Sequence, residues 1–175
     1  MQFNTYTTAG AHISVWLVNN SSPESAALAE VLRAHDVHDP AATVGDVEEL
    51  RAWAARLRAV FEAGTAEKAE LTDALLAVAD CRPRLLSHGP GLPFHLHYAP
   101  AGTALTARVR ALTAAGLAHV IDEGGGTRLR VCARAGCDVA FLDTSRNGRR
   151  AFCAVRCANQ VNVANHRRRQ RSLGH

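Results

Sequence analysis

The sequence predicts a mainly α fold: a helical N-terminal body with a short β element, followed by a small C-terminal module of hairpin and helix organised by four cysteines. Three observations carry that prediction. Apolar residues recur at three- and four-residue steps through most of the first 121 positions. Cys132, Cys137, Cys153 and Cys157 cluster near the C-terminal end, while the fifth cysteine, Cys81, stands alone. Charge divides at the same place. Residues 1–127 carry nine Lys and Arg against fourteen Asp and Glu, a net −5, whereas residues 128–175 carry eleven Arg and no Lys against two Asp, a net +9. The boundary is therefore set at about residue 127, giving a body at 1–127 and a module at 128–175.

Taken in order, Ile13–Val18 is one apolar stretch between polar flanks. Pro23 suits a first helical turn, and Ala26, Ala27, Leu28, Val31 and Leu32 fit a helix ending near His35. His38–Ala42 reads as a loop. The clearest helix runs from about Val44 to Ala63, with Val47, Leu50, Trp53, Ala54, Leu57, Val60 and Phe61 on one face. Thr43 and Asp46 resemble a capping box, and Gly64 a stop. A further helix over about Glu67–Asp80 turns Leu71, Leu75, Leu76 and Val78 inward and pairs with its predecessor as an antiparallel hairpin. Residues 83–102 are rich in proline, glycine and histidine, and the alternation Phe94–Tyr98 suggests a short strand. Thr103–Ile121 is helical, with Leu105, Val109, Leu112, Leu117 and Val120 apolar. Gly124–Gly126 forms a turn and Leu129–Val131 a strand leading into the first cysteine.

An apolar content of 47% excludes wholesale disorder. No apolar run approaches the roughly 18–20 residues needed to span a bilayer, so no membrane partner is expected. The N-terminal residues place no basic segment ahead of an apolar one, and the expectation is a cytoplasmic protein.

In such a compartment, clustered cysteines point to metal rather than disulfides. The spacing Cys132-x4-Cys137-x15-Cys153-x3-Cys157 brings two close pairs to one ion, with the residues between the pairs expected to form a returning hairpin. Four thiolates complete the tetrahedral shell of one Zn2+ and leave no position for substrate, which makes the site structural. An iron–sulfur centre or a redox cysteine pair are the alternatives. Phe141 and Phe152 are expected to cover the metal, and Asp143–Gly148 to form a turn in which Asp143 orients Arg149 or Arg150 or bonds the turn's backbone.

From Ala154 onward the chain reads as a helix carrying the fourth ligand on its first turn. Knuckle, hairpin and helix together suggest a treble-clef-like or ribbon-like finger. Arginine can pair with guanine, and asparagine or glutamine with adenine, in the major groove. The candidate nucleic-acid contacts are Arg146, Arg149, Arg150, Arg156, Asn159, Gln160, Arg167, Arg168, Arg169 and Arg171, the Arg167–Arg169 cluster suiting phosphates. Packing of this helix on the body through Val155, Ala158 and Val161, with solvated arginines, is the alternative.

The segment from Arg130 through Arg171 resembles the CGNR zinc finger. Phe141, Asp143 and Ser145 match its F-x-D-x-S block, Arg149 or Arg150 its arginine, and Phe152-Cys153 its aromatic–cysteine pair, with Phe in place of the usual Trp. Cys157-Ala158-Asn159-Gln160 occupies the naming motif, with Ala158 for Gly and Gln160 for Arg. Ala158 needs only ordinary helical backbone angles, and Gln160 lacks the charge and fork of arginine. In that family the finger commonly follows a helical domain assigned to stress-induced transcription regulation, the ABATE domain. Val15-Trp16-Leu17-Val18-Asn19-Asn20 is similar to its opening LDLVNT signature, retaining Leu17-Val18-Asn19. The resemblance implies a transcription regulator that binds double-stranded DNA.

Three functions follow as expectations. The first is a zinc-dependent DNA-binding regulator whose body senses a small-molecule ligand or forms a homodimer. The second is a protein- or RNA-interaction module. The third is an enzyme built around His88, His95 and His97, a reading disfavoured because no Asp or Glu lies nearby in sequence; no catalytic residue is assigned. Cys81 reads as a small residue at a helix end. A redox-sensing role would require Arg82 and Arg84 to lower its pKa.

Overall fold

The computed structural model describes residues 5–20, 23–37, 39–87, 89, 91, 94–100 and 102–173. Its elements are α1 (Thr5–Asn19), α2 (Ser25–Ala34), α3 (Val44–Glu62), α4 (Thr65–Val78), β1 (Arg84–Leu86), β2 (His95–His97), α5 (Leu105–Gly124), β3 (Leu129–Val131), β4 (Ala140–Leu142) and α6 (Val155–Leu173). Among the described residues the architecture is mostly helical, as the sequence predicts, with two small antiparallel hairpins; β2 lies within the expected strand at Phe94–Tyr98, and its partner β1 is not among the expected elements.

The α3 helix follows its sequence signals closely. Thr43 Oγ1 accepts from the Asp46 N–H at 3.2 Å while Asp46 Oδ2 accepts from the Thr43 N–H at 2.8 Å, which satisfies two otherwise orphaned helix-end donors. All seven residues of its apolar face are buried. Gly64 does not stop α3 through a left-handed turn. It has φ −69° and caps the start of α4, so two residues separate the helices. Pro23 lies before the cap residue Glu24, outside α2.

The inward face of α4 differs from the expected one. Lys68, Thr72 and Leu75 are buried, Leu71 and Leu76 only partly, and Val78 is exposed. The aliphatic stem of Lys68 lies against Gly126, and burial, together with the nearby Arg130, lowers its pKa.

The largest departure is α1, a helix over a segment whose sequence offers only one apolar stretch. It packs extensively on α5 and also meets α3 and β4, so apolar residues are needed on several sides and amphipathic periodicity is weak. Gly10 on α1 and Gly116 on α5 are buried at the crossing. A Cβ built on Gly116 would fall within 2.6 Å of the Gly10 carbonyl carbon, so only hydrogen lets the two backbones approach this closely.

The buried core crosses the expected boundary at residue 127. Leu129, Ala140 and Leu142 from the second hairpin join the cluster containing Ile13, Leu17, Leu57, Val60 and Leu117. Gly125, with φ 60°, ends α5 in the left-handed conformation that turns the chain into β3. The amide of Asn19 then closes a two-point clamp on β4, donating to the Ala140 carbonyl at 2.8 Å and accepting from the Ala140 N–H at 2.9 Å.

Candidate metal centre and basic helix

The first cysteine pair sits inside a hairpin rather than before one. Strands β3 and β4 pair as Leu129 with Leu142, Arg130 with Phe141 and Val131 with Ala140, and their connection carries Cys132 and Cys137. The Cys132 N–H donates to the Val139 carbonyl at 3.0 Å and the Cys137 N–H to Arg134 at 3.0 Å, with Gly136 at φ 74° completing the turn. Residues 143–150, expected to belong to a hairpin between the pairs, form a loop instead. Their polar groups are engaged by Asp143 and by Arg128, not by a partner strand. Cys153 precedes α6, and Cys157 lies in its first turn as predicted.

The four sulfurs lie within 4.8 Å of one another. Cys137–Cys153, Cys153–Cys157 and Cys137–Cys157 are 3.8, 3.7 and 3.9 Å apart. A Zn–S distance of about 2.3 Å in a tetrahedron places sulfurs about 3.8 Å apart. Bonded sulfurs would be about 2.05 Å apart, so these cysteines are arranged around an ion-sized space and not as a disulfide. The donor set fits one structural zinc. Arg134 Nε donates to Cys157 Sγ at 3.3 Å and the Cys153 N–H to Cys132 Sγ at 3.5 Å, supplying positive potential to a shell whose thiolates exceed the charge of Zn2+. Among the thiols themselves, the Val139 backbone hydrogen bond leads in lowering Cys137 to about 7, whereas burial and the other sulfurs raise Cys153 to about 12. Loading the metal must therefore release protons, and its affinity falls on acidification.

Asp143 holds the loop that returns the chain to the second pair. It is fully buried, its Oδ1 accepts from the Ser145 N–H at 2.9 Å, and its Oδ2 accepts from the Arg150 N–H at 2.7 Å. Burial by itself raises its pKa, but hydrogen bonds from the Ser145 hydroxyl and N–H and the Arg150 N–H, with the charge of Arg130, outweigh it and leave the carboxyl below its ordinary range. Of the roles considered from sequence, Asp143 bonds the turn's backbone. Asp143→Asn sets an amide NH2 against a buried N–H donor and is expected to cost about 2 kcal/mol at pH 7. The depressed folded pKa gives stability that is present above the unfolded value of about 3.9 and is lost as pH falls through the folded one. Urea unfolding in excess zinc at pH 7 should show that cost; equal stability of wild type and Asp143→Asn contradicts this role.

All ten predicted nucleic-acid contacts, Arg146, Arg149, Arg150, Arg156, Asn159, Gln160, Arg167, Arg168, Arg169 and Arg171, are exposed. Helical geometry places Arg156, Gln160, Arg167 and Arg171 along one face, opposite the half-buried Val161 and Asn165. Arg150 is engaged elsewhere: its Nη2 donates to the Cys153 carbonyl at 2.8 Å and its guanidinium lies 5.5 Å from the centre of the buried Phe141 ring. Phe152 is only half-buried. Of the three residues of the alternative packing of α6 on the body, Val155 is 75% exposed, whereas Ala158 and Val161 are half-buried. Ala158 is helical, as its conformational needs predict.

Sequence reasoning missed three arginines that build the module. Arg128 is buried and its Nη1 donates to the carbonyls of Asp143 and Ser145, both at 2.8 Å; Arg130 donates to those of Thr127 and Gly148; Arg134 reaches Cys157. These arginines keep their charge, but donors they would offer a partner are used within the module.

Outside the module, His95 and His97 share a strand face with their Nε2 atoms 2.9 Å apart, while His88 lies outside the described residues. Among the described residues the cysteine quartet is the one group of three or more side chains able to hold a metal. Burial and then Asp80 raise the Cys81 pKa, the reverse of the effect expected from Arg82, whose charge is engaged by Asp80 at 3.0 Å. Among the described residues no helix is long and apolar enough to cross a membrane.

Residues 128–170 match the profile of the CGNR zinc finger. The matched segment contains β3, β4, all four cysteines and most of α6. No curated protein matches the chain.

Proposed function

We propose that the CGNR finger at residues 128–170 reads double-stranded DNA as part of a zinc-dependent transcription regulator, with residues 1–127 forming an ABATE-like body that senses a ligand or dimerises. The observation that carries this reading is the exposed face of α6, which leaves the metal centre at Cys157 and presents Arg156, Gln160, Arg167 and Arg171 in sequence. Nineteen residues make a rod of about 28 Å, and a helix of that kind fits a major groove about 12 Å wide. Arg146 and Arg149 on the adjoining loop, with Arg167, Arg168 and Arg169, supply phosphate contacts. The zinc is structural in this reading, and no residue is assigned a chemical step.

Contact with about five phosphates predicts a log–log dependence of affinity on salt with a slope near −4.5. The triple variant Arg167→Ala, Arg168→Ala and Arg169→Ala should reduce the slope to about −1.8 if each arginine neutralises one phosphate. Fluorescence anisotropy on a labelled duplex measures both, and salt-insensitive binding would overturn the phosphate contacts.

One observation favours a protein partner instead. Val155 and Val163 are exposed on α6, 75% and 49% respectively. A pull-down that survives the triple arginine substitution and fails in Val163→Asp would support that reading. An RNA-stacking role has less support, because Phe141 is buried and Phe152 half-buried.

A further inference from the structure

A cleft lined by none of the four clustered cysteines opens between α4, α5 and the end of the first hairpin. Its volume is about 450 Å³, within the range of small-molecule sites. Leu76, Ala115 and Ala118 form apolar walls, and the small side chains on α5 leave the gap that larger ones would fill. At one end the Tyr98 hydroxyl and His119 Nε2 are 2.6 Å apart. The Cys81 thiol also lines the cleft but donates to the Ala111 carbonyl at 3.3 Å. Asp73 is the one carboxylate in the lining.

These groups define a narrow ligand chemistry. If the tyrosine donates to the imidazole, its oxygen can still accept a hydrogen bond. If the imidazole donates, the phenolic hydrogen is free to be given away. A ligand hydroxyl satisfies either arrangement, because it both donates and accepts. Burial raises the pKa of Tyr98 and of Cys81, so both stay protonated at neutral pH, and among the described residues no Lys or Arg lines the cleft to offer an anion a counter-charge. Asp73 adds repulsion against a carboxylate.

We propose that this cleft binds a small, neutral hydroxyaromatic molecule, its ring between α4 and α5 and its hydroxyl on the Tyr98–His119 pair. The site deepens the ligand-sensing part of the proposed function by naming the ligand class. Binding itself requires no DNA, so failure of one reading is distinguishable from failure of the other.

The test is a titration of the full-length, zinc-loaded protein with 2-naphthol at pH 7, read by probe fluorescence and by the His119 ring signals in NMR. Saturable binding with a Kd on the order of 10⁻⁴ M is expected for a probe of this size. Tyr98→Phe should weaken it about five- to tenfold through loss of one hydrogen bond, and Ala118→Leu should weaken it at least as much by filling the cleft. The carboxylate analogue 2-naphthoate should bind about tenfold more weakly, with the gap narrowing in Asp73→Asn. No saturation up to about ten times the expected Kd, or equal 2-naphthol affinity in wild type and Tyr98→Phe, would overturn the proposal. The conservative Tyr98→Phe variant keeps the test decisive even if Ala118→Leu does not fold.

Discussion

Cys157→Ser is expected to drop the zinc content of the purified chain from one ion to a small fraction and to dissolve the order of residues 132–173. A serine hydroxyl does not deprotonate at neutral pH and cannot replace a thiolate in a tetrahedral shell. Structural zinc contributes about 10–16 kcal/mol to the folding of a small finger, so losing one of four ligands removes several kcal/mol from a segment with little apolar core of its own. Cys157 also anchors the first turn of α6 and receives the Arg134 guanidinium, so both lose their reference point. The disturbance should reach the body, because Leu129, Ala140 and Leu142 belong to the common core and Ala140 is clamped by Asn19. The expected result is a lowered melting temperature together with loss of NMR dispersion in the finger. Full zinc occupancy in Cys157→Ser, measured by elemental analysis, would contradict the four-thiolate site.

Gly116→Ala is expected to destabilise the body by about 3 kcal/mol, at the upper end of overpacking effects. A methyl here meets the backbone of Gly10 and Ala11, and backbone cannot rotate aside as a flexible side chain can. Either α1 moves away from α5, uncovering Ala11, Ile13 and Leu17, or the helix crossing does not form. For a chain of this length the cost corresponds to a fall in Tm of roughly 6–12 °C. Gly64→Ala is the matched control: nothing lies within 4 Å of its added Cβ and its φ is −69°, so its effect should remain within about 1 kcal/mol. Equal melting temperatures for the two variants would show that the α1–α5 crossing tolerates side chains.

Legibility in the sequence followed the range of the interactions concerned. The zinc ligands were readable because metal coordination needs particular atoms at short spacings, and the sulfur distances agree with that need. The face of α3 and its capping box were readable because both are local. The hairpin was misplaced because the cysteine spacing does not say whether strands enclose the first pair or follow it; only pairing of Leu129 with Leu142 decides. The α1 helix was hidden because contact on several sides erases its periodicity, and the Asn19 clamp because its partner lies 121 residues away. Arg128 and Arg130 enter the sequence reading only in the basic count, because most of the carbonyls they hold are brought beside them by the fold.

In the proposed function, zinc organises a finger whose exposed helix reads DNA sequence. Selection of zinc-loaded full-length protein against a random double-stranded DNA pool tests it most directly, run beside the Arg167–Arg169→Ala variant at the same salt concentration. The expected result is an enriched motif that is lost in the variant and after zinc chelation. Full zinc occupancy with no enrichment, or a motif retained when the arginines and the metal are removed, would contradict it.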